Sequence, residues 1–204
     1  MDLLNSFDLT VYHALNHLAG HHPVLDAIMV FFAQYALELY AVLFVVAWFA
    51  LPKSNSDKRH ALMVAGLSGV LALLINFLIS HVWFRPRPFV TLAQMHESFT
   101  KFIPHSADAS FPSDHTSGSY AFASASWGKT SKWVSWAFTS IAIIVMIARV
   151  YVGVHWPTDV LASFVVGLVS SKIMWKLSPK IYPLTRIVLR MFRMGNVSNR
   201  SVAE

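Results

Sequence analysis

"ALMVAGLSGVLALLINFLISHV", residues 61–82, contains no aspartate, glutamate, lysine or arginine. A helix that crosses a bilayer needs about 20 predominantly apolar residues. This stretch supplies them, and so it decides the fold: the chain is built for a membrane. Three more segments read the same way, at roughly 115–127, 133–152 and 158–177. A fifth lies within "LDAIMVFFAQYALELYAVLFVVAWFAL", residues 25–51, which is longer than one crossing requires. It is either one tilted helix or an interfacial piece before about Gln34 followed by a crossing. The expectation is an all-α integral membrane bundle of about five transmembrane helices, or six, forming a single domain over residues 1–204.

Composition agrees. Of 204 residues, 55% are hydrophobic and 13% are charged, against about a quarter charged in a typical soluble domain. There is no cysteine, which excludes disulfides, thiolate metal sites and cysteine catalysis. The 115–127 segment is rich in Ser, Ala and Gly, residues that suit close helix packing inside a bundle better than contact with lipid. The start, "MDLLNSFDLT", carries Asp2 and Asp8 instead of the positive charge of a secretory signal. No cleaved leader is expected, and residues 1–22 read as an interfacial amphipathic segment.

The basic residues then set orientation. Five crossings place Lys53, Lys58, Arg59, Lys129, Lys132 and the tail from Lys172 to Arg200 on one side. Arg85, Arg87, Lys101 and Arg149 fall on the other. Cytoplasmic loops carry the excess of Lys and Arg, so the C-terminus is expected inside and the N-terminus outside. In the tail, 180–204, Arg186, Arg190 and Arg193 share one helical face, and Leu184, Val188 and Met191 another. That is a basic amphipathic helix on anionic lipid, and the net charge of +6 needs no nucleic acid to account for it.

The minority side keeps its arginines despite the bias. It holds a long connection from about Phe84 to Phe111, and long connections in compact domains usually serve a function. "FRPRPF" (84–89) and "FPSDHT" (111–116) bracket it. In the second, Ser113 suits the N-cap of a helix, with Asp114 and His115 in its first turn. The free N–H groups there can seat a phosphate oxygen. In "ARVYVGVHWPTDV" (148–160), Pro157 fits the first position of a new helix. His155 precedes it, and Asp159 lies within reach of the imidazole. A carboxylate on one ring nitrogen leaves the other free as a nucleophile. Arg149 supplies a bidentate phosphate donor. The prolines of "FRPRPF" hold Arg85 and Arg87 on an extended strip.

Together these three stretches resemble the type 2 phosphatidic acid phosphatase (PAP2) superfamily. Its pattern is Lys-x6-Arg-Pro, Pro-Ser-x-His and Arg-x5-His-x3-Asp. Here it falls on Arg87-Pro88, on Pro112-Ser113-Asp114-His115, and on Arg149, His155 and Asp159. "DASFPSDHT" and "FRPRPF" look like the bacitracin-resistance type of undecaprenyl-diphosphatase within it. The chain departs from the pattern twice. Asp114 stands where many relatives have Gly, and Ser80 stands where the family keeps its lysine. Arg85 is the expected replacement cation, ahead of His81.

The resemblance implies a site on the outer face of the cell membrane that hydrolyses undecaprenyl diphosphate for cell-wall synthesis, with bacitracin resistance as a consequence. His155, oriented by Asp159, would be the nucleophile and His115 the acid and base. Arg85, Arg87, Ser113, Asp114 and Arg149 would bind the substrate, with no metal and no cofactor. A broader lipid phosphatase is the alternative enzyme. A transporter component is the alternative of another class, and the sparse polar residues within the spans (Gln34, Glu38, Asn76) argue against it.

Overall fold

The computed structural model describes residues 5–192. Eight helices occur among them: α1 (Ser6–Asn16), α2 (Pro23–Gln34), α3 (Ala36–Ala50), α4 (Ser56–Val82), α5 (Pro88–Gln94), α6 (Asp114–Ser126), α7 (Lys132–Tyr151) and α8 (Pro157–Met191). No strand is present among the described residues. Three helices, α4, α7 and α8, are long and apolar enough to cross a membrane, and α2 with α3 makes a fourth if the bent pair is one span. The chain is a multi-pass membrane protein.

The centre is α6. Its 13 residues make a rod of about 20 Å at 1.5 Å per residue, shorter than a hydrocarbon core of about 30 Å. It packs on α4, α7 and α8, and most of its Ser, Gly and Ala residues are buried. The 115–127 segment, expected to cross, is therefore a short rod packed among other helices. Small side chains permit the closeness. A Cβ on Gly167 of α8 would come 2.8 Å from the Ala121 nitrogen and 2.9 Å from the Ser117 carbonyl.

The 25–51 run breaks at Tyr35 with a bend of 73°, where the second alternative for this segment puts it. A helix end leaves the carbonyls of its last turn free, and a buried arginine takes them up at the C-terminal end of each of the two helices. Arg149 donates to the Ala33 carbonyl at the end of α2 (2.9 Å). Arg59, fully buried, donates to the carbonyls of Trp48, Leu51 and Pro52 at the end of α3.

Two termini differ in detail from the sequence reading. α1 buries Asp8, Tyr12 and Asn16, so it docks on the bundle through a polar stripe. The basic tail continues α8 without interruption to Met191, through Pro179 and Pro183. Its buried side is Ile181, Thr185 and Leu189, while Leu184 and Met191 are exposed. Val188 packs beside a core that includes Trp48, Leu51 and Leu62. Asp2, Arg193 and Arg200 lie outside the described residues.

Candidate active site

The strip after α4, the connection into α6 and the turn between α7 and α8 meet at one end of the bundle. They enclose a cavity of about 230 Å³. Pockets for drug-sized molecules run from about 300 to 1,000 Å³, so this one suits a headgroup rather than a whole lipid. Arg87, His105, Asp108, Asp114, His115, Arg149 and His155 line it, with Phe77 and Ser80 from α4.

The α7–α8 turn places the imidazole. Gly153 adopts φ +83°, a region that favours glycine, and a Cβ there would collide with the Thr100 carbonyl. The amides of Val154 and His155 both donate to the Arg149 carbonyl (3.3 Å), folding the turn back on the helix end. Pro157 then opens α8, and Asp159 accepts from the Trp156 amide (2.8 Å).

His155 is 3% exposed. Its Nδ1 lies 2.8 Å from the Ser110 carbonyl, which can only accept, so Nδ1 carries the hydrogen. That leaves a lone pair on Nε2, which faces Arg87 Nη1 at 3.3 Å and Arg149 Nη2 at 3.2 Å. Burial, and then the charges of Arg149 and Arg87, push the imidazole well below its usual pKa. The ring is neutral at pH 7. A buried neutral imidazole between two guanidiniums is suited to attack an anionic electrophile that the same guanidiniums hold.

The arginines are held from behind. Arg87 donates to the Val154 carbonyl (2.9 Å), the Ala109 carbonyl (3.1 Å) and Asp108 (2.7 Å). Arg149, anchored on Ala33, has a buried Nε without a hydrogen-bond partner. Asp114, at the start of α6, accepts from Asn76 Nδ2 (2.9 Å), and Asn76 in turn accepts from Ser117 (3.1 Å). This accounts for a buried asparagine within α4.

Three residues assigned from sequence have other neighbours than expected. Arg85 is absent from the cavity wall. Its Nη2 donates to Asp8 (2.6 Å), and its Nη1 to Asp159 (2.6 Å) and Thr158 (2.7 Å). Two buried carboxylates claim the guanidinium and hold it away from the cavity where the family lysine is expected. Ser80 lines the cavity, and Arg87 and Arg149 are the cations on its wall. His81 is turned to the Phe77 carbonyl (2.7 Å). Ser113 is buried, its amide donating to Ser163 (2.7 Å) and its hydroxyl accepting from Thr116 (3.2 Å). Asp159 lies 3.6 Å from His155 Nδ1, beyond hydrogen-bond reach. The Ser110 carbonyl fixes the tautomer, and Asp159 is a nearby anion.

Other residues enter only with the structure. His105 sits on the wall, its ring centroid 6.4 Å from that of His155. Burial and then Arg87 lower its pKa to about 4. Asp108 is 57% exposed. Burial raises its carboxyl, but hydrogen bonds from Ser106 and Arg87 outweigh this and hold it below the usual range. Asp108 and Ser110 stand in "DASFPSDHT", where the polar run was the available signal. Among the described residues, no three His, Asp or Glu side chains are grouped to hold a metal ion.

The family model described as the PAP2 superfamily matches residues 61–183. The chain is 37% identical over 182 residues to the undecaprenyl-diphosphatase BcrC of Bacillus subtilis (strain 168), covering 89% of this chain and 90% of that one. Among solved structures it resembles Aquifex aeolicus LpxE, with a TM-score of 0.68 and 22% identity over 84% of this chain and 96% of the other. A transmembrane PAP2-type phosphatidylglycerolphosphate phosphatase from Bacillus subtilis gives a TM-score of 0.63 and 23% identity, covering 89% of each chain. Those two likenesses concern the fold.

Proposed function

Since the chain belongs to the PAP2 superfamily, we propose that it hydrolyses undecaprenyl diphosphate to undecaprenyl phosphate and inorganic phosphate. The observation that carries this reading is the Nε2 lone pair of His155 between Arg87 and Arg149 on the wall of a headgroup-sized cavity. The choice of lipid is supported by the extent of the likeness to BcrC, which covers nearly all of both chains.

In this scheme the terminal phosphoryl group displaces the arginines from Nε2 and accepts their N–H groups on its equatorial oxygens. Nε2 attacks phosphorus in line, forming an N–P bond as the P–O bond to the bridging oxygen breaks. His115, which takes up a proton as the anionic headgroup enters, gives that proton to the bridging oxygen, and undecaprenyl phosphate leaves. His115 then takes a proton from water, whose oxygen attacks the phosphohistidine and frees inorganic phosphate and the imidazole. Guanidiniums fixed by carbonyls stabilise the charge of both transition states without reorganising.

The test is phosphate release by the purified protein in detergent. A preference for undecaprenyl diphosphate over phosphatidate and phosphatidylglycerol phosphate of about tenfold or more in kcat/KM is expected. Equal or faster turnover of the glycerolipids makes the protein a broader lipid phosphatase.

We also propose that the site faces outward. Arg85, Arg87, Lys101 and Arg149 belong to the site end, whereas Lys58 reaches Ser131 (3.3 Å) at the other, where most of the basic residues gather. The chain has no native cysteine. Met95→Cys is expected to react with an impermeant maleimide in intact cells, and Ser131→Cys only after permeabilisation. The reverse pattern inverts the topology. An outward site meets the diphosphate left after glycan transfer, and its activity would raise tolerance of bacitracin.

A further inference from the structure

The scheme above uses nothing from α1, yet this helix touches every segment that carries the nucleophile. Its buried residues Asp8, Tyr12 and Asn16 are four apart and so share one face. Asp8 Oδ1 accepts the Thr158 amide (2.8 Å), and Oδ2 accepts the Thr158 hydroxyl (2.7 Å) and Arg85 (2.6 Å). Tyr12 packs on Trp156, ring centroids 5.3 Å apart. Asn16 donates to the carbonyls of Tyr151 and Thr100 (2.8 Å each) and accepts the Thr100 amide (2.8 Å).

His155 lies between Tyr151 and Trp156, so α1 fixes the turn on both sides of it. The start of α8 needs this help. Helix N-termini leave amides without partners, and the residue usually chosen to cap them is Ser, Thr, Asp or Asn. Here the N-cap is Trp156. Asp159 covers the Trp156 amide, and Asp8, reaching across from another helix, covers that of Thr158.

We propose that Asp8 is a positioning residue for phosphoryl transfer. It caps α8 in trans and holds Arg85 against Asp159, so that Nε2 of His155 stays in register with Arg87 and Arg149. The inference rests on His155 being the nucleophile. A buried carboxylate that touches no substrate acts on geometry rather than on affinity. A misplacement of about 1 Å at a reacting centre can cost about 100-fold in rate.

The test is single turnover of undecaprenyl diphosphate labelled on its terminal phosphate, with purified full-length enzyme in excess. Asp8→Ala is expected to lower the limiting first-order rate constant by about 10- to 100-fold, with the half-saturating enzyme concentration within about threefold of wild type. Mere loss of folded protein would do the opposite, raising that concentration and sparing the limiting rate constant. Asp8→Asn keeps an oxygen for the Thr158 amide and gives up the charge at Arg85, so its rate constant should fall between the two. His155→Ala runs beside them. A limiting rate constant unchanged in both Asp8 variants, next to an inert His155→Ala, overturns the role of Asp8 alone. An active His155→Ala enzyme instead overturns the nucleophile, and with it the group that Asp8 positions.

Discussion

His155→Ala enzyme should release no phosphate above background, a loss of about 10⁴-fold or more, because removing a nucleophile removes the covalent route as a whole. The imidazole is buried and held by one carbonyl and two arginines, so its removal leaves a small cavity and spares the helix ends. The variant should therefore purify and melt close to wild type. Chelator should leave wild-type activity unchanged, since the described residues offer no cluster of metal ligands. Orthovanadate, which mimics five-coordinate phosphorus, should inhibit wild type. A His155→Ala enzyme with substantial turnover would refute the nucleophile. Activity abolished by chelator and restored by Mg²⁺ would refute the scheme of fixed cations.

Arg149→Ala should lower kcat by about 10²–10³-fold, the usual result of removing one preorganised donor from a developing anion. The guanidinium has two attachments, the Ala33 carbonyl and His155 Nε2, and an unpartnered Nε. Arg149→Lys should recover only part of the rate. An ammonium is a point charge on a flexible stem and cannot serve the α2 carbonyl and a phosphoryl oxygen in one fixed geometry. The measurement is kcat on a single lipid diphosphate for both variants, with thermal unfolding followed in parallel. Arg149→Ala within threefold of wild type would leave Arg87 as the sole catalytic cation.

Much of the site was legible because its signals are local. Apolar runs mark spans, Pro157 and Pro112 mark helix starts, and the motifs fall on the same end once crossings are counted. That places Arg87, Asp114, His115, Arg149 and His155 around one cavity. What sequence could not reveal depends on partners distant in the chain. Arg85 and Arg87 stand two apart on a proline-held strip, yet one turns to Asp8 and Asp159 and the other to the cavity. A basic residue in a membrane protein goes where buried carboxylates need neutralising, and Asp8 gave no sign of being one from a position 77 residues away. The polar run around Ser110 marks the segment, but the role of its carbonyl has no signature in side-chain spacing. Arg59 was counted as a topological charge, and it turned out to be buried on the carbonyls that end α3.

The bond between Asp108 and Arg87 bears on turnover. Asp108 and Asp114 stand opposite Arg87 and Arg149, so with neutral imidazoles the resting cavity is electrically balanced. The multiply charged diphosphate of the proposed function would add negative charge to that balance, and displacement of one internal anion would offset part of it. Asp114 is tethered by Asn76, whereas Asp108 is more than half exposed on the connection ahead of α6. Under the proposed function, entry of the diphosphate would be an exchange of anions at Arg87. The same exchange run backwards, with Asp108 returning to the guanidinium, would help to expel phosphate once the chemistry is done.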